Sequence, residues 1–109
     1  MTTTYKVLGQ ANPAATTATT LYTAPSATSV VVSTISVCNQ AAVNGTYRIA
    51  VRPAGEALAA KHYLAYDGTI PANDSIAITI GVTLAATDVV TVYASAATMS
   101  FGLFGSEIT

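Results

Sequence analysis

Short segments in which β-branched residues alternate with small polar residues recur along the chain, and they constrain its fold more than any other feature. The clearest is Ser29–Asn39, where one face carries Val31, Ser33, Ile35 and Val37. Alternation with period two is typical of a strand that buries only one face, whereas a parallel sheet covered by helices needs continuous apolar runs. We expect the odd-numbered face of this strand to point into the core.

Turn-forming residues separate further segments of the same kind. They predict strands at 5–10, 46–52, 61–67, 75–80, 88–94 and 98–104. A further short strand at 21–23 and a short extension at 82–84 are weaker candidates. Asn44-Gly45 indicates a tight hairpin, because both residues tolerate positive φ, and Asp67-Gly68 indicates a turn that closes a strand. The helix-forming run at 56–61 is too short to be a stable helix alone. The pattern predicts an all-β antiparallel sandwich, jelly-roll-like, with seven to eight strands and little helix.

Two of the predicted strands carry more specific expectations. Met99, Phe101 and Leu103 should point inward, and Gly102 beside them indicates a bulge or the close approach of another chain. In 75–80, Ile76, Ile78 and Ile80 should share one face.

The chain is short enough to be one domain. Its 109 residues are near the usual size of a single domain, so we expect one β-sandwich over 1–109. The polar N-terminal residues 1–4 and the Thr- and Ala-rich segment 11–20 are expected to form a flexible or partner-covering arm and loop.

Low charge excludes several classes of function. Charged residues make up 8% of the chain, against roughly 25% in ordinary soluble domains. Four Lys and Arg residues cannot neutralise many phosphates, which argues against nucleic-acid binding. One Cys and one His argue against a disulfide framework, a metal site or any cofactor. The sequence has neither a signal-peptide pattern nor an apolar run long enough for membrane insertion, so we expect synthesis in the cytoplasm.

Candidate catalytic groups are few. Cys38 and His62 could in principle form a nucleophile and base, but a small buried thiol and an ordinary strand histidine explain them more simply. Asp67, Asp74 and Asp88 each lie beside a turn residue, where Asp commonly bonds its own backbone. We therefore expect no catalytic residues and no enzymatic activity.

Arginines and tyrosines are the candidates for an interface. Arg48 and Arg52 share one strand face, and a guanidinium can grip a carboxylate or phosphate, although both could simply be solvated. Of the six tyrosines, Tyr5, Tyr22 and Tyr63 are retained as interface candidates, because tyrosine is enriched at interfaces. Most tyrosines are expected in or beside the core, with Tyr63 and Tyr66 on opposite faces of a regular strand.

Several segments together resemble small virion structural proteins of tailed bacteriophages, including those of cyanobacterial hosts. The resemblance lies in the order of YKVLGQ (5–10), LYTAP (21–25), the strand ending in Cys38-Asn39, YRI (47–49), the step from GVTL (81–84) to Asp88, and SFGLFGSEI (100–108). It covers nearly the whole chain. It implies a non-enzymatic β-sandwich module of a capsid, neck or tail, with no catalytic residues to carry over.

The neutral surface and the resemblance both favour assembly. The resemblance implies a virion protein and leaves its location in the particle open. We expect a protein that is assembled in the host cytoplasm and stabilises the particle as capsid cement or decoration. The expected partners are further copies of the chain in a homo-oligomer such as a trimer, and a major capsid or tail scaffold protein. The alternative is a tail, neck, baseplate or fibre component, including a module that binds a host receptor or glycan. A small enzyme using Cys38 and His62 is the third hypothesis.

Overall fold

A computed structural model describes residues 1–79 and 81–109 of the chain. Within these residues there are nine strands and two single turns of 3₁₀ helix, at Pro53–Gly55 and Ala60–His62. The strands are β1 Thr3–Ala11, β2 Thr19–Thr23, β3 Ser29–Asn39, β4 Gly45–Arg52, β5 Tyr63–Ile70, β6 Ser75–Ile78, β7 Val82–Leu84, β8 Val89–Ala94 and β9 Met99–Ile108.

The strands form two antiparallel sheets that pack face to face. Sheet A has the order β1-β9-β3-β6, with β7 also paired to β3, and sheet B has the order β2-β8-β4-β5. The pairs are nested: β1 with β9, β2 with β8, β3 with β6 and β7, and β4 with β5. This is a long hairpin rolled into two sheets, the arrangement of a jelly roll. The predicted all-β sandwich is confirmed.

The core lies between the sheets and is mainly aliphatic, with a few aromatic side chains such as Phe101. Its largest fully buried side chains include Ile35 and Leu103 from sheet A and Ile49 from sheet B. As predicted, Met99, Phe101 and Leu103 point inward. Because neighbouring strands supply alternate residues to one layer, a single continuous cluster spans both sheets.

The inward face of β3 changes along the strand. Val30 and Val32 are buried in its first half, and Ile35 and Val37 in its second half. The register with β9 shifts between Val32 and Thr34, which marks a bulge at Ser33. A bulge adds one residue and therefore exchanges the two faces. The prediction that the odd-numbered face is inward is right after the bulge and wrong before it.

Two predicted turns are wrong. Asn44-Gly45 does not close a hairpin, because β3 belongs to sheet A and β4 to sheet B, and neither residue has positive φ. Asp67 and Gly68 lie inside β5, which continues to Ile70. The segment between β3 and β4 therefore crosses between the sheets, and its geometry is set by that crossing.

Other predictions differ in detail. Thr3 and Thr4 belong to β1, and Ala11, Thr19 and Thr20 belong to strands, so the expected arm and loop are shorter than 1–4 and 11–20. No register shift falls at Gly102, so the predicted bulge is wrong there; a Cβ added at this position would overlap the Phe104 ring and the Ser36 hydroxyl. Ile76 and Ile78 both pack against the core, whereas Ile80 lies outside the described residues.

Candidate functional site

The outer face of sheet B carries a row of stacked side chains, here called the tyrosine–arginine stack, formed by Tyr93, Arg48, Tyr66 and Tyr63. The Arg48 guanidinium carbon lies 4.2 Å from the centroid of the Tyr93 ring and 4.1 Å from that of Tyr66. The Tyr63 and Tyr66 rings meet edge to face with centroids 4.9 Å apart. Both contacts of Arg48 are within cation–π range, so the guanidinium is held by two rings.

Asp67 fixes the guanidinium from a third side. Arg48 donates from Nε to Asp67 Oδ1 at 2.6 Å and from Nη2 to Asp67 Oδ2 at 3.2 Å. The hydrogen bond from Arg48 holds the pKa of the Asp67 carboxyl below its usual value. The pair is bidentate and neutral overall, so it orders the surface without adding net charge.

Irregular pairing of β5 with β4 brings these side chains together. The register shifts between Ile49 and Ala50 and again between Tyr47 and Ile49, and Asp67 has a φ of 52°. The first shift leaves Leu64 as an extra residue and changes the facing of the side chains on either side of it. For this reason the rings of Tyr63 and Tyr66 are in contact, and the prediction that they lie on opposite faces is wrong.

A groove of about 660 Å³ lies at the Tyr63 end of the stack. Its walls are Leu58, Ala59, Ala60 and the rings of Tyr63 and Tyr66. The chain between β4 and β5, residues 53–62, forms one side of it; we call this the covering segment. The groove is therefore mainly apolar, with the two tyrosines as its aromatic wall.

The covering segment is fastened to sheet B by polar contacts. Arg52 donates to Thr91 Oγ1 at 3.0 Å and to the Glu56 carbonyl at 3.0 Å. Asp88 Oδ1 accepts from the Ala54 N–H at 2.9 Å. Ala50 and Thr91, on the outer face of the sheet, are consequently buried.

His62 anchors the end of the covering segment. Its imidazole is 5% exposed, and Nδ1 accepts a hydrogen bond from the Ala59 N–H at 3.0 Å. Nε2 lies 3.5 Å from Glu56 Oε1, beyond good hydrogen-bond geometry. Cys38 lies in β3 of sheet A, whereas His62 lies in the 3₁₀ turn before β5, and its Nδ1 is occupied by the Ala59 N–H.

The five candidate interface residues are placed very differently. Arg48 and Tyr63 come together in the stack, and Arg52 lies near them but is bound within its own chain. Tyr5 is 84% exposed on β1. Tyr22 is buried, and its hydroxyl donates to Glu107, which also contacts Lys6 Nζ at 3.3 Å.

Sequence reasoning missed Tyr66, Tyr93 and Asp67 as members of the site. Tyr93 stands directly opposite Arg48 across the β4–β8 pair, and that register is not readable from the sequence. Asp67 precedes Gly68, and this pair is typical of a turn, so the sequence did not indicate Asp67 as the partner of Arg48. The alternation that places Arg48 on the outer face was the only available indication.

All nine charged side chains are engaged within the chain. The ion pairs are Lys6–Glu107, Arg48–Asp67 and Lys61–Glu56. Arg52 binds Thr91 and backbone carbonyls, while Asp74 and Asp88 accept from backbone N–H groups. Six of the nine charged side chains are therefore in ion pairs, the other three are held by neutral groups of the chain, and the net charge is only -1.

A second depression, of about 390 Å³, lies on the outer face of sheet A among Gln10, Asn12, Ser36, Ser100 and Phe104. In the part of the chain that the structure describes, no three His, Cys, Asp or Glu side chains are grouped to hold a metal ion. Within the same residues no helix has the length and apolar character to cross a bilayer.

Comparisons with models of protein families, with curated protein sequences and with solved structures find no match to this chain. Its role is therefore inferred from its own residues and geometry.

Proposed function

We propose that this chain is a non-enzymatic structural protein of a tailed-phage virion, which stabilises the particle through contacts with its own copies and with a capsid or tail scaffold protein. Capsid cement or decoration is the role that suits it best. Two observations support this role: the sequence resemblance and the surface chemistry described above.

The engagement of every charged side chain within its own chain, six of the nine in ion pairs, carries the proposal. Removing an unpaired charge from water on binding costs several kcal/mol, roughly, unless a partner charge replaces the lost hydration. Here Arg48 and Lys6 already have carboxylate partners in their own chain. A neutral partner surface can therefore cover either of these residues without leaving a buried free charge.

Exposed apolar side chains occur on both sides of the sandwich. Tyr5 and Val31 are exposed on sheet A, and Leu58 and Tyr66 are exposed beside the groove of sheet B. Exposed apolar groups that cluster commonly mark contact surfaces. A subunit with one such region on each side can contact a scaffold and a neighbour at once, as a cement protein must.

The jelly-roll fold is compatible with this role. Viral capsid domains and lectins both use it, although the fold alone does not determine a function. The fold therefore suits a capsid protein and a sugar-binding tail protein alike.

The decisive experiment is to purify the particles of a phage that encodes this chain, with and without its gene. The chain should co-purify with wild-type virions, and particles lacking it should release their DNA at a lower temperature while keeping the same scaffold proteins. Absence of the chain from purified virions would overturn the proposal. Particles of unchanged thermal stability would overturn the cement role.

The groove of sheet B favours glycan binding by a tail or fibre component as a second candidate. Tyr63 and Tyr66 provide aromatic surface, and Asp67, whose side chain is 45% exposed, provides acceptor oxygens beside it. Sugars present C–H faces and hydroxyls together, which suits such a pair of surfaces. A glycan array with wild-type protein and Tyr66→Ala tests this: saturable binding lost in the variant supports it, and no binding by the wild type removes it.

A further inference from the structure

The N-terminal half of β1 is an edge of sheet A whose backbone is available for pairing. Thr2 and Thr109 exchange two hydrogen bonds, with the Thr2 N–H donating at 2.8 Å and the Thr109 N–H at 2.9 Å. From there the register with β9 is regular through Val7. In an antiparallel pair, residues alternate between bonding the partner strand and pointing away from it. The backbone groups of Thr3, Tyr5 and Val7 therefore point to the free side of the sheet.

The other half of β1 follows an irregularity and lies close against β2. A bulge separates Val7 from Gly9. A Cβ at Gly9 would overlap the Leu21 carbonyl, so the backbone of β1 touches β2 there. The available edge is consequently confined to Thr3–Val7, the part of the strand before the bulge.

The remaining described edges of the two sheets are less suited to pairing. β2 has five residues and a register shift between Thr20 and Tyr22, and β5 has two register shifts. β6 and β7 have four and three residues. Bulges and short length are the usual ways in which proteins prevent edge-to-edge association. Thr3–Val7 is as short as β2, but its pairing with β9 has no register shift.

Side chains on this edge also favour association. Tyr5 is 84% exposed and Val7 is 50% exposed on the outer face of sheet A, beside Val31, which is 41% exposed. Lys6 would normally guard an edge strand, but its ammonium group reaches Glu107 at 3.3 Å. The edge therefore combines unpaired backbone groups with exposed apolar side chains and a compensated charge.

We infer that this edge pairs antiparallel with the same edge of a second copy, about a two-fold axis that passes beside Tyr5. That axis sets Tyr5 opposite Tyr5 and Thr3 opposite Val7 of the second copy. All three residues have their N–H and C=O groups directed outward, so each pair can exchange two hydrogen bonds. The two copies of sheet A then form one continuous sheet.

The register follows from the same residues. Moving the axis to Lys6 would place the two Lys6 residues opposite each other and would bring Gly9, which already touches β2, into the pairing. Moving it to Thr4 leaves Val7 opposite Met1, outside the strand. The axis at Tyr5 uses every outward-facing residue of the edge before the bulge. A second copy is thus favoured over an unrelated strand because the edge is complementary to itself.

Sedimentation velocity of the purified full chain tests the inference. The wild type should show a concentration-dependent dimer, and Tyr5→Pro should raise its dissociation constant by roughly tenfold or more, because each subunit loses one interfacial donor. Tyr5 does not donate to β9, so circular dichroism of the variant should retain the wild-type sheet signal. A wild type that stays monomeric, or a folded Tyr5→Pro protein with unchanged dimerisation, overturns the inference.

Cysteine cross-linking tests the register without relying on the proline variant. In a Cys38→Ser background, Tyr5→Cys should give a disulfide-linked dimer under mild oxidation, since paired Cα atoms are about 5.5 Å apart and disulfides span about 4.4–6.8 Å. Val31→Cys is the matched control, an exposed position on a central strand, and should give no disulfide-linked dimer. Equal cross-linking of both variants overturns the pairing. Failure here concerns only the contact between copies, so it is distinguishable from absence of the chain from virions.

Discussion

The two outer faces of the sandwich differ in how their polar groups and surface are covered. Sheet B is covered by its own chain: the covering segment buries Ala50 and Thr91, and Arg48 is enclosed by Tyr66, Tyr93 and Asp67. Among residues 1–79 and 81–109, no such segment covers Tyr5 and Val31 of sheet A, and the β1 edge keeps outward-facing backbone groups.

The two faces therefore contribute to different properties: sheet B to the stability of one subunit, and sheet A to contacts with other molecules. Contacts on sheet B hold one subunit together, whereas the exposed groups on sheet A can only be covered by another molecule. Substitutions on sheet B should therefore alter the free energy of unfolding, and substitutions on the outside of sheet A should alter association instead.

The largest expected effect comes from placing a charge at matched outward positions of the two central strands. Ala50→Lys should lower the free energy of unfolding by at least about 3 kcal/mol, because the covering segment would have to be displaced or the charge buried. Val31→Lys, at an exposed position of β3, should change it by no more than about 0.5 kcal/mol. Urea unfolding measures both. Equal losses would show that the two faces are not differently covered.

A smaller loss of unfolding free energy is expected when the polar contact between the two sheets is removed. Tyr22→Phe removes the hydroxyl that donates to Glu107 and should cost about 1–2 kcal/mol in unfolding free energy. Tyr66→Phe keeps the ring of the stack and should cost no more than about 0.5 kcal/mol. Guanidinium chloride titrations compare them. A larger loss from Tyr66→Phe would assign its hydroxyl a structural role.

Low pH should lower the free energy of unfolding through two carboxylates, that of Glu107 at the contact between the sheets and that of Asp67 in the tyrosine–arginine stack. Replacing each with its carboxamide should separate their contributions. The hydrogen bond from Tyr22 lowers the pKa of Glu107 from its ordinary 4.5, and the hydrogen bond from Arg48 lowers that of Asp67 from 3.8. Each carboxylate is then more acidic in the folded chain than in the unfolded one. Its stabilisation is complete above the ordinary pKa and is lost as the pH falls through the folded pKa.

Urea midpoints measured from pH 7 down to pH 2 test this dependence. Wild-type stability should decline below about pH 4.5, and Glu107→Gln or Asp67→Asn should each decline less steeply over that range. A variant with the same slope as the wild type would show that its carboxylate has equal pKa values in the folded and unfolded chains.

The smallest effect is expected at the exposed ion pair of the covering segment. Lys61 Nζ lies 3.3 Å from Glu56 Oε1, but the Lys61 side chain is 71% exposed. Such pairs contribute little, so Lys61→Ala should alter the unfolding free energy by less than about 0.5 kcal/mol. A thermal melt with a clearly lower midpoint would mean that this pair holds the covering segment in place.

Local pattern predicts the strands well and their pairing poorly. β-branched alternation placed β3 at Ser29–Asn39, with the limits it has in the structure. The bulge at Ser33 reverses its faces, and nothing in the residues around it marks that position. Likewise, Asn44-Gly45 has the composition of a hairpin, but long-range pairing assigns the strands on either side to different sheets.

The candidate site was predictable only in part for the same reason. Alternation correctly set Arg48 on the outer face of its strand. Its neighbours depend on the β4–β8 register, which brings Tyr93 beside it, and on the irregular β5, which brings Tyr66 and Asp67. These are contacts between residues far apart in the sequence, so a single sequence does not reveal them.

The nesting of the strands has a consequence for biogenesis. β9 inserts between β1 and β3, so sheet A cannot close until residues 99–108 have left the ribosome. Folding dominated by such distant pairings is slow, typically about milliseconds to seconds. Until then, β1 and β3 of a nascent chain lack their common partner strand and can pair with other nascent chains on the same polysome. Chaperone binding or rapid dilution should therefore raise the yield of folded protein.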